Sequence, residues 1–301
     1  MIREYFQPDT LLKALQLRRD HEGSFLLAGG TDFVVAMRHD RIQEGNIIDL
    51  SKVRELKGVE STGETVKIGP MTTFTELCDS AVLKEAAGVL RDAAETVGSP
   101  QIRNRGTIGG NICNASAAAD TMSPLLCLDA EVELQSLAPD GTVITRTLLL
   151  EDFIVNSKKT AITDNEIMTR ILFRHPAADT LSAFQKIGRR NALAIARING
   201  CCALRMKDGA AERNNIAEKD GTVESIRFAL GASTSKPERI KAVEEFLTGR
   251  ELTPDVLKEA GKRTSEYVLS QTGRRASSEY KLPVIEKFTV SLINDALGRE
   301  E

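Results

Sequence analysis

The sequence predicts an α+β protein of two domains, on three observations. Its 301 residues are enough for two cores of ordinary domain size. Short strand-like and helix-like segments alternate as far as His175. The chain then changes character at His175-Pro176-Ala177-Ala178-Asp179, read as a linker. Beyond it strand-like segments come first and three helices last, the pattern of segregated α+β packing. The expected domains are residues 1–176 and 177–301.

Composition narrows the function classes. A content of 41% hydrophobic and 28% charged residues is that of an ordinary globular chain. The net charge of −3 offers no basic field for nucleic acid or an anionic membrane. No apolar run approaches the ~20 residues that span a bilayer. The opening MIREYFQPDT has no apolar leader segment, so the expected location is cytoplasmic. Cys78, Cys113, Cys127, Cys201 and Cys202 are irregularly spaced, without CxxC or a Cys/His cluster, and no metal site is expected. His21, His39 and His175 stand isolated, and there is no G-x-S-x-G, so hydrolytic nucleophile chemistry has little material.

Along the first domain, Asp9 or Thr10 caps a helix with Leu11, Leu12, Ala14, Leu15 and Leu17 as its apolar stripe. Residues 24–35, SFLLAGGTDFVV, read as a strand running into a Gly-Gly turn. NIIDL (46–50) and VKIGP (66–70) are short strands. Thr73 and Glu76 have capping-box spacing and start a helix. A second helix covers roughly 81–96 and stops at Gly98-Ser99-Pro100. Residues 123–137 give a buried helical turn and then a strand. Asp140-Gly141 turns a hairpin, and 166–174 form another strand. In the second domain LSAFQKI and INGCCALRM are strands around the basic turn GRRN, followed by SIRFALGAS (225–233). Helices are expected at about 237–248, 254–271 (Thr253 cap, Pro254 in the first turn) and 283–297.

Two glycine stretches carry the chemistry. The first is Leu26-Leu27-Ala28-Gly29-Gly30-Thr31-Asp32, the second Thr107-Ile108-Gly109-Gly110-Asn111. Each sets Gly-Gly beside a hydroxyl. Glycine permits positive φ and close approach of a ligand to the backbone, and successive N–H groups in such a turn form an anion-binding concavity. Thr31, Thr107 and Asn111 add side-chain donors. One such stretch is a tight turn as readily as a site; two of like composition suit a diphosphate held from two sides. Asp120 follows as an acceptor for a sugar hydroxyl or as a cap for a helix at Thr121, and spacing leaves both open. Gly58 to Thr65 has Walker-A spacing, but Glu64 stands where a phosphate-binding lysine is needed, so it reads as a turn. Gly29-Gly30 with Asp49 imitates a Rossmann fingerprint but lacks the third glycine.

LLAGGTDFV and SPQIRNRGTIGGNICNASAAAD together closely resemble the FAD-binding subunits of molybdenum hydroxylases, the group of xanthine, carbon monoxide and nicotinate dehydrogenases. The resemblance spans essentially the whole chain, including 165–190 and the helical C-terminal part. It implies a vanillyl-alcohol-oxidase-like (PCMH-type) FAD-binding domain of two α/β subdomains, then a smaller α+β domain like that of carbon monoxide dehydrogenase flavoproteins. Carried over by position, Leu27, Ala28, Gly29, Gly30, Thr31, Asp32, Phe33 and Val34 form the first FAD-binding run. Thr107, Gly110 and Asn111 form the second, shaped by Ile108 and Gly109. Asp120 matches an acidic residue near the ribityl and adenosine part, Met168 an apolar residue against the flavin, and Lys186 a lysine that reaches the cofactor. From the residues alone, Met168 is a strand core residue, and Lys186 with Arg189 and Arg190 is a solvated basic turn. Arg103 and Arg105 are read as structural or interface residues, and Cys113 and Asn114 as neighbours of the flavin without a catalytic role.

The resemblance further implies an electron-transfer oxidoreductase subunit. Its partners would be a molybdopterin-binding large subunit and a 2Fe-2S small subunit, in a dimer of heterotrimers, with NAD or another electron acceptor. Some relatives carry a cysteine-rich insertion for an iron–sulfur cluster; this chain has none and is expected to bind flavin only. Purine-type hydroxylation is the favoured activity of the complex. The rival readings are a stand-alone flavin reductase or oxidase, for which no acid or base can be named, and a non-enzymatic nucleotide-binding module.

Overall fold

A computed structural model describes residues 2–39, 44–190, 192–207 and 221–299. The chain forms two compact units. One comprises Met1–Ser116 and Asp129–His175, the other Ala117–Leu128 and Pro176–Glu301. The second unit thus takes Ala117–Leu128 out of the stretch that the sequence groups with the first domain.

The first unit opens with strand β1 (Ile2–Phe6), which the sequence pattern does not announce. Helix α1 (Leu11–Asp20) follows, the Thr10 hydroxyl accepting from the Lys13 N–H, as an N-cap should. Strand β2 (Phe25–Leu27) runs into the first glycine turn. The end of SFLLAGGTDFVV is not strand but the start of helix α2 (Phe33–Arg38), none of whose residues is buried. Strand β3 (Gly45–Asp49) completes a parallel sheet in the order β1-β3-β2. Ala14 and Leu15 of α1 are buried with Ile48, Leu50, Leu56 and Ile167 in one core cluster.

Strands β4 (Val59–Thr62) and β5 (Thr65–Ile68) make a hairpin whose turn holds Gly63 at φ 62°, so the Walker-like spacing is a hairpin turn. Thr73 and Glu76 close a reciprocal capping box at the start of α3 (Phe74–Asp79). The helix expected over 81–96 is two: α4 (Ala81–Ala86) and α5 (Gly88–Glu95). The break falls at Ala87, outside the helical region at φ −155° and ψ 61°, beside Gly88, which contributes little helix propensity. After α6 (Pro100–Arg103) and α7 (Ile108–Asn114) the chain supplies α8 (Met122–Cys127) to the second unit. It returns as β6 (Glu131–Leu137), β7 (Val143–Leu149), the short α9 (Leu150–Phe153), the paired β8 (Ile154–Asn156) and β9 (Lys159–Thr160), and β10 (Ile167–Arg174). A five-stranded antiparallel sheet results, ordered β4-β5-β10-β6-β7.

In the second unit β11 (Leu181–Gly188), β12 (Ala196–Met206), β13 (Val223–Gly231) and β14 (Glu238–Arg239) form an antiparallel sheet in that order. Helices α10 (Lys241–Leu247), α11 (Pro254–Thr272) and α12 (Ser278–Ala296) follow. The helix expected from 237 starts later because Glu238 and Arg239 pair with β13. The one expected from 283 starts earlier, at Ser278, and Pro283 lies inside it. Period-2 alternation divides β12: a Cβ on Gly200 would meet Phe288 and Leu292 of α12, while the next-door Asn199 bonds Ser123 of α8. On the helix side Leu204, Phe228, Val243, Leu257, Phe288 and Leu292 are buried in one cluster.

Candidate functional site

In the first unit both glycine stretches make close contacts with neighbouring chain. At Gly29 a Cβ would lie 1.9 Å from the Arg105 carbonyl oxygen. At Gly109 it would lie 2.4 Å from Cβ of Pro70, and at Gly110 it would stand 3.6 Å from Cβ of Ala28. Glycine is required here for close approach, and only Gly30, at φ 77°, requires it for its backbone angle. Gly30 also accepts the Val34 N–H at 3.0 Å, which closes the turn into α2.

The second stretch is not the open concavity that its composition suggests. It is the first turn of α7, with Thr107 at the N-cap. Its N–H groups have partners within the fold: Ile108 donates to Thr72, Gly109 to Pro70 and Asn111 to the Thr107 carbonyl. Gly110 donates to the Thr107 hydroxyl at 3.1 Å. The cause is local, because Thr107 is a good cap and residues 70–72 run alongside with acceptors. Thr107 is buried, so what this stretch presents is a smooth face of Gly109 and Gly110.

That face borders a cavity of about 400 Å³ contained within the first unit. Ala28, Gly109, Gly110 and Met168, all singled out in the sequence, line it, together with Leu26, Met71, Ile162 and Ile167. Leu27, Thr31, Asp32, Phe33 and Val34 are not among its lining. They form the rest of the first turn and the start of α2, where the Phe33 ring lies 5.7 Å from that of Phe25. Met168 is buried in β10 beside a register irregularity between Met168 and Arg170, the kind of local kink that re-aims side chains.

Sequence reasoning missed the polar end of the cavity. Arg18, on the buried side of α1, donates to the carbonyl and hydroxyl oxygens of Ser24, while its Nε has no hydrogen-bond partner. Burial lowers its pKa and nearby Asp164 partly offsets this. Nothing in a leucine-rich amphipathic helix marks one arginine as inward-facing. Cys113 also lines the cavity: the residue is exposed, but its thiol borders an apolar recess, and desolvation pushes it up to about 12. Arg103 bonds the carbonyls of Val97 and Gly98, a structural role, and Asn114 accepts from Lys158 at 2.8 Å.

Asp120 and Lys186 both belong to the second unit. Asp120 does not cap α8; Thr121 stands at that position. Its carboxylate instead takes the Lys186 ammonium at 2.5 Å, with side-chain exposures of 11% for lysine and 8% for aspartate. Lys186 is therefore not part of a solvated basic turn. It sits within β11, while Arg190 folds onto the carbonyls of Ala192 and Leu193. Such a pair is costly to desolvate and costlier to break, which is how a fixed ion pair is held in one geometry.

Among the described residues no group of three or more His, Cys, Asp or Glu could hold a metal ion, and no helix is long and apolar enough to cross a membrane.

Comparison with known proteins adds the family. Residues 1–175 match the FAD binding domain in molybdopterin dehydrogenase, and residues 182–296 the carbon monoxide dehydrogenase flavoprotein C-terminal domain. The nicotinate dehydrogenase FAD-subunit of Eubacterium barkeri is 32% identical over 99% of this chain and 97% of its own length. The xanthine dehydrogenase FAD-binding subunit of Escherichia coli O157:H7 is 30% identical over 98% and 96%. Among solved structures, carbon monoxide dehydrogenase from Hydrogenophaga pseudoflava, in a form lacking the Mo-pyranopterin moiety, superposes with a TM-score of 0.87 at 26% identity. The match covers 100% of this chain and 99% of that one.

Proposed function

Because the chain belongs to the family of FAD-binding subunits of molybdopterin dehydrogenases, oxidoreductases whose cofactor here is FAD, we propose that it is the electron-transfer subunit of a molybdenum hydroxylase complex. Its FAD-binding domain is then of the vanillyl-alcohol-oxidase-like (PCMH) type. The observation that carries this reading is that both glycine stretches, through Ala28, Gly109 and Gly110, border one apolar cavity.

The residues fit such a cofactor. A cavity of about 400 Å³ takes a planar portion of a dinucleotide rather than the whole molecule. Gly109, Gly110 and Ala28 leave room for a backbone-hugging chain, and Met168 and Ile167 supply an apolar wall. The turn Leu27 to Val34 contributes N–H groups and the Thr31 hydroxyl toward a diphosphate; Thr107, Ile108, Gly109, Gly110 and Asn111 bound the opposite side. In the second unit Asp120 offers a fixed carboxylate for sugar hydroxyls, and Lys186 a cation suited to stabilising negative charge on a reduced ring. Bound FAD supplies an acceptor for electrons from a partner's iron–sulfur clusters and a donor to NAD or another acceptor.

The partners in this reading are a molybdopterin-binding large subunit and a 2Fe-2S small subunit, assembled as a dimer of heterotrimers. The hydroxylated substrate, with a purine-type heterocycle favoured, is handled on the large chain. Of the relatives' names, xanthine supports a purine, and nicotinate, a pyridine, the wider class of nitrogen heterocycles.

The test is the visible spectrum of the purified chain. With no Trp and three Tyr its absorption at 280 nm is weak, so a flavin band near ~450 nm stands out. A one-to-one complex that releases FAD on heating, and is lost when Gly110 or Thr31 is made bulky, is the expected result. A folded, colourless chain that cannot be reconstituted with FAD sinks the reading. Turnover of an organic substrate by the chain alone favours the stand-alone enzyme instead.

A further inference from the structure

Behind the Asp120–Lys186 pair lies a second tier of buried polar groups. Asn199 and Ser123 are both fully buried. Asn199 stands opposite Lys186 across the β11–β12 register and opposite Gly231 across β12–β13. Its Nδ2 lies 3.2 Å from Asp120 Oδ1 and 3.4 Å from the Ala119 carbonyl. Both are acceptors only, so the amide must present its NH₂ to them. Its Oδ1 then receives the Ser123 hydroxyl at 3.1 Å. Gly231 makes the space: a Cβ there would fall 2.3 Å from Asn199 Oδ1. A buried amide opposite a glycine, with every orientation dictated, is an expensive way to join a helix to a sheet, since an apolar side chain would serve that end without polar burial.

We infer that Asn199, oriented by Ser123, is a positioning residue for the cofactor: it holds one carboxylate oxygen of Asp120 while Lys186 holds the other. Two donors on two oxygens set the plane of the carboxylate. The inference rests on the proposed reading that Asp120 and Lys186 bind FAD, and assigns the geometry of that pair to a residue outside it.

A double-mutant cycle on the full-length chain tests this. FAD is removed and re-titrated by fluorescence into wild type, Asn199→Leu, Asp120→Ala and the double variant, with thermal melting of each apoprotein recorded alongside. Asn199→Leu is expected to raise the FAD Kd about ten- to a hundred-fold, as for loss of a buried bond to a charged group. In the Asp120→Ala background, which leaves no side-chain acceptor, the same substitution should change Kd by less than about twofold, because its target is gone. Ser123→Ala should move Kd in the same direction by a smaller factor. It also carries the cycle if Asn199→Leu fails to fold. A lowered melting temperature with unchanged Kd, or effects that simply add in the double variant, would overturn the inference and leave Asn199 a structural stitch. Wild type that takes up no FAD would instead remove the cofactor reading itself, and this inference with it.

Discussion

In the first unit the glycines admit close neighbours, with Gly29 against the backbone of Arg105, just ahead of the second stretch, and Gly109 against Pro70. In the second unit the corresponding work falls to side chains: Lys186, Asp120, Asn199 and Ser123 form one buried chain of hydrogen bonds. The first arrangement depends on what is missing from the residues, the second on what they carry. They should therefore fail differently. A backbone contact tolerates no added atom, whereas a polar chain tolerates shape but not the loss of a charge partner.

The largest effect tests the first half of that contrast. Gly29→Val places a Cβ 1.9 Å from a carbonyl oxygen that belongs to backbone and cannot swing aside. Its expected cost exceeds about 4 kcal/mol, in the exceptional range for single substitutions. Thermal melting and FAD content should fall together. A variant that melts like wild type would show that Gly29 does not lie against the Arg105 backbone.

Second comes Lys186→Met, which keeps the stem and removes the charge. Asp120 then stays buried with its ammonium partner lost, an expected penalty of about 3–5 kcal/mol. Replacing both partners, as Lys186→Met with Asp120→Leu, should recover much of that stability while FAD binding remains lost. If the single variant is as stable as wild type, the pair is not held dry and the contrast between the units dissolves.

These two regions were unequally legible in the sequence. The glycine stretches announce themselves because residues 26–32 and 107–111 are each contiguous, and close approach of backbone can be read from the residue type alone. What they do locally was less legible. Whether Gly109-Gly110 open a loop or begin a helix depends on Thr107 and on the carbonyls of Pro70 and Thr72, residues distant in sequence. The buried chain was legible only in part. Lys186 and Asp120 are 66 residues apart, and Asn199 and Ser123 76, so no local pattern joins them. Asn199 lies within INGCCALRM, where period-2 alternation gives a strand but not the reason for a polar residue inside it. The same limit hid Arg18, whose inward turn depends on Ser24.

Acid offers a gentler test. In the first unit Asp49 and Glu166 both sit below the ordinary carboxylate range. Burial raises each. For Asp49 it is outweighed by the Tyr5 hydroxyl, the Ser51 N–H and the Gln7 amide; for Glu166 by the Arg146 guanidinium and the Thr163 N–H. A depressed folded-state pKa stabilises the fold above the unfolded-state value and loses that contribution as pH falls through the folded one. Melting temperature should therefore drop between about pH 5 and about pH 2, the window below the ordinary carboxylate values. Hydrogen exchange should show loosening around β3 and β10. Glu166→Gln should flatten part of the fall; an unchanged pH profile would mean that the Arg146 pairing adds nothing to the stability of this unit.

The smallest effect concerns the cavity wall, and it separates exposure from reactivity. Cys113 is exposed, yet its thiol stands at about 12. At about pH 8 only roughly one thiol in ten thousand is then ionised, against roughly a quarter for an ordinary cysteine. Alkylation of Cys113 should accordingly be slow at neutral pH and accelerate up to and beyond about pH 10, with the melting temperature unaffected throughout. Added FAD should slow it further at every pH, because the thiol shares its cavity with Gly109, Gly110 and Met168. Fast labelling at neutral pH would place the thiol in water rather than in an apolar recess. Slow labelling that FAD does not alter would keep the recess but put the cofactor elsewhere, and the backbone-built region would then be a packing device alone.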